Sequence, residues 1–256
     1  MRFKLNEYLE DDIKNKNHPS SFETDNKYSI LILRLPFIKN GHVDIISYAF
    51  LIDEKDSVYI FDRKNKEFEI LGDFYQLHNF LDLRVDKILS KLNTLHTQIA
   101  ELEDNLYEND FDKSFTDKWL KLKKEITLME RLMKNAIVAF ERFLRFYKNK
   151  VDNFAYADLK EHFQRALEFA KDAAEKLDYL YEFYRAKQDE KMNRIMFILT
   201  LISGIFLPLT LVTGFFGMNT GGLPFANDPQ GTIKAAIIGV IMEIPIVFIV
   251  WKNMKR

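Results

Sequence analysis

The feature that most constrains this chain is the run Ile195–Phe216, IMFILTLISGIFLPLTLVTGFF, which holds 22 residues and no charged side chain. As a helix it is long enough to cross a hydrocarbon layer about 30 Å thick. A soluble helix of that length keeps a polar face, so the run predicts a membrane span. A second segment, 232–251, reaches spanning length and from Ala235 onward is apolar except for Glu243. Between them, 217–231 reads GMNTGGLPFANDPQG, and its Gly, Pro, Asn and Asp predict a loop. Backbone in lipid must satisfy its own hydrogen bonds, and two helices joined by a short loop do so. Arg185, Lys187, Lys191 and Arg194 precede the first span, and the tail 252–256 carries Lys252, Lys255 and Arg256, whereas from the end of the first span to the apolar run that begins at Ala235 the one basic residue is Lys234. That asymmetry predicts a multi-pass protein of the cytoplasmic membrane with both termini in the cytoplasm. Trp251 reads as an interfacial anchor.

Composition serves mainly to exclude. The chain has no cysteine, so disulfides, thiolate metal sites and cysteine nucleophiles are ruled out. A net charge of −1 and the absence of a groove-reading motif argue against nucleic-acid binding. The N-terminus, MRFKLNEYLEDDIKNKNHPSSFE, has no apolar stretch and predicts no signal peptide. The five histidines, at 18, 42, 78, 96 and 162, are scattered, and no HExxH, P-loop or nucleophile elbow is present, so no enzyme is expected.

Ahead of the spans, 28–38, 43–52, 57–62 and 67–71 are rich in β-branched and aromatic residues and are separated by turn signals such as Asn40-Gly41. They predict a small, mainly antiparallel sheet within a cytoplasmic domain covering 1–72; residues 1–27 are polar and carry no assignment. From 73 to 194 the period changes to three and four, predicting a helical coiled-coil stalk. Phe74, Leu77, Leu81, Val85, Ile88, Leu92, Leu95, Ile99, Leu102 and Leu106 form one seam. Phe115, Trp119, Leu122, Ile126, Met129, Met133, Ile137, Phe140, Leu144 and Tyr147 form a second. A third runs from Tyr156 through Leu159, Phe163, Ala166, Ala170, Ala173, Leu177 and Leu180 to Tyr184. Breaks fall near 109–114 and 150–154, and neither Gly nor Pro interrupts the last helix before Gly204. It is expected to continue from about Asn153 into the membrane, on the order of 95 Å at 1.5 Å per residue.

One stripe of that helix is polar where lipid would not select it. In steps of three and four, Asn193, Met196, Thr200, Ser203, Leu207, Thr210, Gly214 and Gly217 share a face, and most are small or polar. Such a face meets other protein or water, either as a close helix contact or as the wall of a conduit. The same register backward gives Asp189, Ala186, Glu182, Tyr179, Glu175, Asp172, Glu168, Arg165, Glu161 and Asp158. Around a symmetry axis these carboxylates would form a cation-attracting vestibule; the alternative is a solvated outer face. Glu243, inside the second span, is a functional candidate by position. It is expected to be a neutral acid bonded to a neighbour such as Ser203 or Thr200.

The first span ends in Gly217-Met218-Asn219, heading a short loop before a second span close to the C-terminus. Upstream stand Phe206-Leu207-Pro208-Leu209-Thr210 and Thr213-Gly214-Phe215-Phe216, with Asn193 just before the span. Together these motifs resemble the CorA family of divalent-cation channels, from about Phe74 to Arg256 and less closely over the sheet. The resemblance implies an α+β membrane protein forming a homopentameric funnel, in which the first span lines the pore and the second lies outside it. It implies hydrated Mg2+ as substrate, with Co2+, Ni2+ or Zn2+ in some members. Carried over by position, Gly217, Met218 and Asn219 would form the selective entrance, with Asn219 and Gly217 meeting the ion. Asn193, Met196, Thr200, Ser203, Leu207, Thr210 and Gly214 would line the conduit, and Met196, Leu199 and Leu207 its hydrophobic constriction. Asp158 matches a stalk carboxylate that holds a regulatory Mg2+ between protomers, and Glu161 and His162 resemble the same stretch. No resident cofactor is implied; the expected partners are further copies of the chain, the bilayer and divalent ions.

The chain also departs from the family. Its domain before the stalk looks shortened, and the loop continues TGGLP, which resembles the ZntB branch associated with Zn2+. The alternatives to a channel for Mg2+ are therefore a proton-coupled Zn2+ carrier of the same fold and, in another class, a membrane-anchored coiled-coil scaffold.

Overall fold

The structure, a computed structural model, describes residues 3, 5–25, 27–108, 114–218, 221–225 and 227–254, with backbone alone at 246, 247, 249–251, 253 and 254. The Trp251 side chain, Lys255, Arg256 and most of the predicted 109–114 break lie outside the described residues. The chain divides into two compact units, Met1–Glu182 and Phe183–Arg256.

The first unit opens with helix α1 (Glu7–Lys14), capped by the Asn6 side chain, which accepts from the Tyr8 N–H. Five strands follow: β1 (Ser21–Thr24), β2 (Ser29–Lys39), β3 (His42–Ile52), β4 (Val58–Asp62) and β5 (Glu67–Gly72). They pair antiparallel in chain order, a meander. The β2–β3 hairpin turns on Asn40 and Gly41, both at positive φ, the conformation a two-residue turn requires for strands of this twist. Alternate residues divide the sheet between two covers. Ile30, Ile32, Ala49 and Phe61 meet Leu9 and Ile13 of α1. On the opposite face, Phe22 lies against Phe143 at 5.8 Å and Phe50 against Phe80 at 5.4 Å. Arg63 ties α1 down: its guanidinium donates to the carbonyls of Ile13 at 2.9 Å and Lys14 at 3.1 Å, and to Ser47 Oγ at 2.8 Å. These bonds satisfy carbonyls that the end of a helix leaves without donors.

Helix α2 (Phe74–Glu108) starts from a capping box. Asp73 accepts from the N–H groups of Tyr75 and Gln76, and the Gln76 side chain accepts from the Asp73 N–H at 2.9 Å. Every residue of the predicted α2 seam is buried. Helix α3 (Phe115–Phe146) departs from its predicted stripe. Trp119 and Leu144 are half-buried, whereas Leu132, Ala136, Ala139 and Phe143 are buried. The reason is that α3 contacts α2 and also β1, β2 and β3, so its buried face is wider than a coiled-coil seam.

Helix α4 (Asn153–Phe216) is continuous over 64 residues and starts where Asp152 accepts from the Phe154 and Ala155 N–H groups. Its predicted seam is buried from Tyr156 to Leu180, and Tyr184 is half-buried. Donors from α2 and α3 reach its carbonyls at intervals. His78 meets Ala155 O at 3.1 Å, His96 meets Phe169 O at 3.0 Å, and Trp119 Nε1 meets Leu177 O at 2.8 Å. A carbonyl only accepts, so each of these histidines carries a proton on Nε2.

The second unit holds the rest of α4 and helix α5 (Gly231–Met254). Among the described residues, one helix, α4, contains a stretch long and apolar enough to cross a membrane, and none of that stretch is buried within the chain.

Candidate functional site

The chemistry expected of this chain centres on the end of α4. From Leu201 onward its half-buried residues are Leu201, Gly204, Ile205, Pro208, Leu209, Val212 and Phe216, which recur with helical period and mark one side. Leu209 and Val212 approach α5 where it is thinnest: a Cβ added at Gly239 would lie 3.5 Å from Leu209 Cδ2 and 3.8 Å from Val212 Cγ1. Ser203, Leu207, Thr210 and Gly214 fall on the other side and are exposed in the protomer. With Phe206 and Met218 among its walls, that side carries a groove of about 760 Å3. Asn193, Met196, Leu199 and Thr200 are exposed as well, in a stretch where every side chain from 191 to 200 is exposed.

The threonine hydroxyls on this helix are committed in one direction. Thr200 Oγ1 donates to Met196 O at 2.8 Å and Thr210 Oγ1 to Phe206 O at 2.7 Å. Thr213, which lines the cavity beside α5, donates to Leu209 O at 3.0 Å and Thr210 O at 3.1 Å. A threonine whose proton is spent on its own helix offers only lone pairs outward. Pro208 contributes no N–H, which leaves the Gly204 carbonyl without its helical donor.

The GMN turn is sterically determined at its first residue. The Gly217 N–H donates to Thr213 O at 2.9 Å, and a Cβ at 217 would lie 2.9 Å from the same backbone oxygen. A residue with a Cβ there would crowd that oxygen, and the backbone would have to shift. Met218 is exposed, and Asn219 lies outside the described residues.

Glu243 departs from expectation. Both carboxyl oxygens are buried and among the described residues neither has a hydrogen-bond partner, so the bond to Ser203 or Thr200 is not made. The Thr200 proton goes to Met196 O instead.

In the first unit, Asp158 lies beside His162, which the resemblance named with it, and that histidine faces two carboxylates that the resemblance did not name. Asp82 and Asp86 on α2 and His162 on α4 present ligand atoms within 4.8 Å of one another. His162 Nδ1 is 3.3 Å from Asp82 Oδ1 and 3.9 Å from Asp86 Oδ1, and its Nε2 is 3.7 Å from Asp158 Oδ2. The Asp82 oxygen and His162 Nδ1 are buried and make no hydrogen bond, because the short separation lacks the required direction. Carboxylate and imidazole together suit a divalent ion. Glu161 points elsewhere and pairs with Arg165 at 2.6 Å. Glu168, Asp172, Glu175, Glu182 and Asp189 are all exposed. The i, i+4 spacing of Asp82 and Asp86 puts two acids on one helix face, but only the fold sets His162 opposite them.

Residues 1–255 match the family described as CorA-like Mg2+ transporter protein. The chain belongs to that family. Over 162 residues it is 28% identical to the cobalt/magnesium transport protein CorA of Methanocaldococcus jannaschii, covering 61% of this chain and 51% of that one. Over 81 residues it is 37% identical to the divalent cation transporter CmaX of Pseudomonas aeruginosa, covering 32% and 24%. It is also 25% identical over 169 residues to the zinc transport protein ZntB of Yersinia enterocolitica, covering 65% and 51%. The chain thus spans about half the length, or less, of these curated relatives. Its fold is that of the complete Methanocaldococcus jannaschii CorA structure, with a TM-score of 0.76 at 20% identity over 96% of this chain and 82% of that one. An antiparallel sheet followed by long helices is therefore the CorA-like fold, as the resemblance implied.

Proposed function

We propose that this CorA-family chain assembles as a homopentamer and conducts hydrated divalent cations, Mg2+ foremost, across the cytoplasmic membrane. The observation that carries the reading is the side of α4 bearing Ser203, Thr210 and Gly214, which α5 leaves open and on which Thr210 has already spent its proton. Mg2+ dehydrates reluctantly, so its conduit must receive water hydrogens rather than strip the ion. Threonine oxygens acting as acceptors do so, and neutral ligands bind weakly enough to release the ion. In the assembled channel α4 lines the pore, α5 forms the second, outer span, and both termini are cytoplasmic. Asn219 and Gly217 form the entrance, and Met196, Leu199 and Leu207 form the constriction. Asp158, with His162, Asp82 and Asp86, holds a regulatory divalent ion in the stalk.

A second reading, proton-coupled Zn2+ transport, is favoured by one observation: Glu243 carries two buried, unpartnered oxygens inside a span, where an ionisable group is a candidate proton carrier.

The channel reading is tested by two isosteric substitutions in the full chain reconstituted in liposomes. Thr210→Val removes an acceptor from the conduit wall, and maximal Mg2+ flux should fall roughly fivefold, the scale of one lost hydrogen bond. Thr213→Val, beside α5, should leave it unchanged. Equal effects of the two would remove the conduit from this side of α4.

A further inference from the structure

The loop after the first span contains a contact set that the conduit does not use. Asp228 Oδ1 accepts from the Gln230 N–H at 2.9 Å, and Oδ2 receives the Lys234 ammonium. The backbone of the same residue bridges its neighbours: the Asp228 N–H donates to Phe225 O at 3.1 Å, and the Gly231 N–H donates to Asp228 O at 2.8 Å. Phe225 sits at φ +62, a conformation that L residues seldom adopt without support. Its carbonyl lies so close that a Cβ at Gly231 would stand 2.2 Å from it. The Lys234 ammonium is 5.7 Å from the centroid of the Phe225 ring, so one lysine contacts both ends of the fold-back. The Asp228 carboxyl is held below the usual carboxylate range, first by the Lys234 hydrogen bond and then by the Gln230 N–H.

This fold-back is joined to the mouth of the proposed path. Leu223, Pro224 and Phe225 line a cavity of about 690 Å3 whose other walls include Phe216 at the end of the first span, Gly217 just after it, and Ala235 of α5. Gly217 opens the GMN motif, so the seating of Leu223–Phe225 sets what surrounds the entrance. An exposed ion pair alone is a weak restraint. Here it acts with two backbone hydrogen bonds, an aspartate turn and a glycine that no larger residue can replace.

We propose that Asp228 and Lys234 staple Leu223, Pro224 and Phe225 over the cavity between α4 and α5 and so position the entrance of the ion path. They are positioning residues and touch no ion. The inference rests on the reading of 217–231 as the extracytoplasmic mouth.

Two measurements on the full chain in liposomes test it. Asp228→Asn and Lys234→Met should each raise the Mg2+ concentration for half-maximal flux roughly three- to fivefold, the reach of an exposed pair, and spare the maximal rate. The charge swap Asp228→Lys with Lys234→Asp should restore the parent value. Opposite shifts in the two single variants would show that the residues act through their charge at the mouth, and would overturn the staple. The second measurement does not need transport. The chain has no cysteine, so Leu223→Cys gives a unique thiol for a membrane-impermeant maleimide. Labelling should be slow in that background, faster with either single substitution, and slow again with the swap. Unchanged labelling in both single variants overturns the proposal. If the parent moves neither Mg2+ nor Zn2+, the transport reading fails and labelling alone decides the staple.

Discussion

Tyr156 shows how one side chain sets stability in the stalk. Its hydroxyl is buried and donates to Phe74 O at 2.8 Å, and burial pushes the phenol above its ordinary value, with Asp73 adding to the shift. A phenol harder to ionise in the folded state stabilises fully below about pH 10, the unfolded value, and that contribution is lost as pH climbs beyond it. Tyr156→Phe should cost about 1 kcal/mol near neutrality and flatten the alkaline fall in melting temperature. An alkaline limb identical to the parent's would contradict this. The Asp158 neighbourhood gives a second residue-scale expectation. Mg2+ should protect the stalk from proteolysis, and both Asp158→Ala and Asp82→Ala should remove the protection; equal digestion with and without Mg2+ would dismiss the regulatory site. Asp158 was legible by resemblance, but Asp82 and Asp86 were not. They sit on a different helix, and nothing in a single chain's periodicity says which turn of α2 faces which turn of α4.

At the scale of elements, legibility followed the strength of the local signal. The α2 seam is all Leu, Ile, Val and Phe at helical spacing, and every member is buried. Helix α1 escaped because it buries only Leu9 and Ile13 and is fastened by Arg63, a residue far along the chain. Strand β1 buries Phe22 alone. The α3 stripe was misjudged at Trp119 and Leu144, because α3 also packs on the sheet and its buried face takes in Ala136 and Ala139, which carry little hydrophobic signal. For the acidic stripe of α4, exposure in the protomer fits both a vestibule and an outer face. Neutralising Glu175, Glu182 and Asp189 together separates them. A vestibule predicts a flux loss that is large at low salt and fades as the Debye length shrinks from about 30 Å to 10 Å. A loss of equal size at all ionic strengths, or none, would remove the vestibule.

At the scale of the whole molecule, the CorA-like fold and the family follow from the match over residues 1–255, and the sequence had announced both through GMN and the motifs ahead of it. Metal choice was not legible in the same way. The loop residues Thr220 to Pro224 lean toward ZntB, the intact GMN leans toward CorA, and named relatives of both kinds match at similar identity. The two readings part at those loop side chains and at Glu243. The most direct test is uptake of Mg2+ and Zn2+ by the full chain in liposomes, with and without a pH gradient, beside Asn219→Ala in an oligomer verified as intact. The account predicts saturable Mg2+ uptake that needs no pH gradient and is abolished by Asn219→Ala. Uptake that requires the gradient, or a parent-like rate in Asn219→Ala, would contradict it.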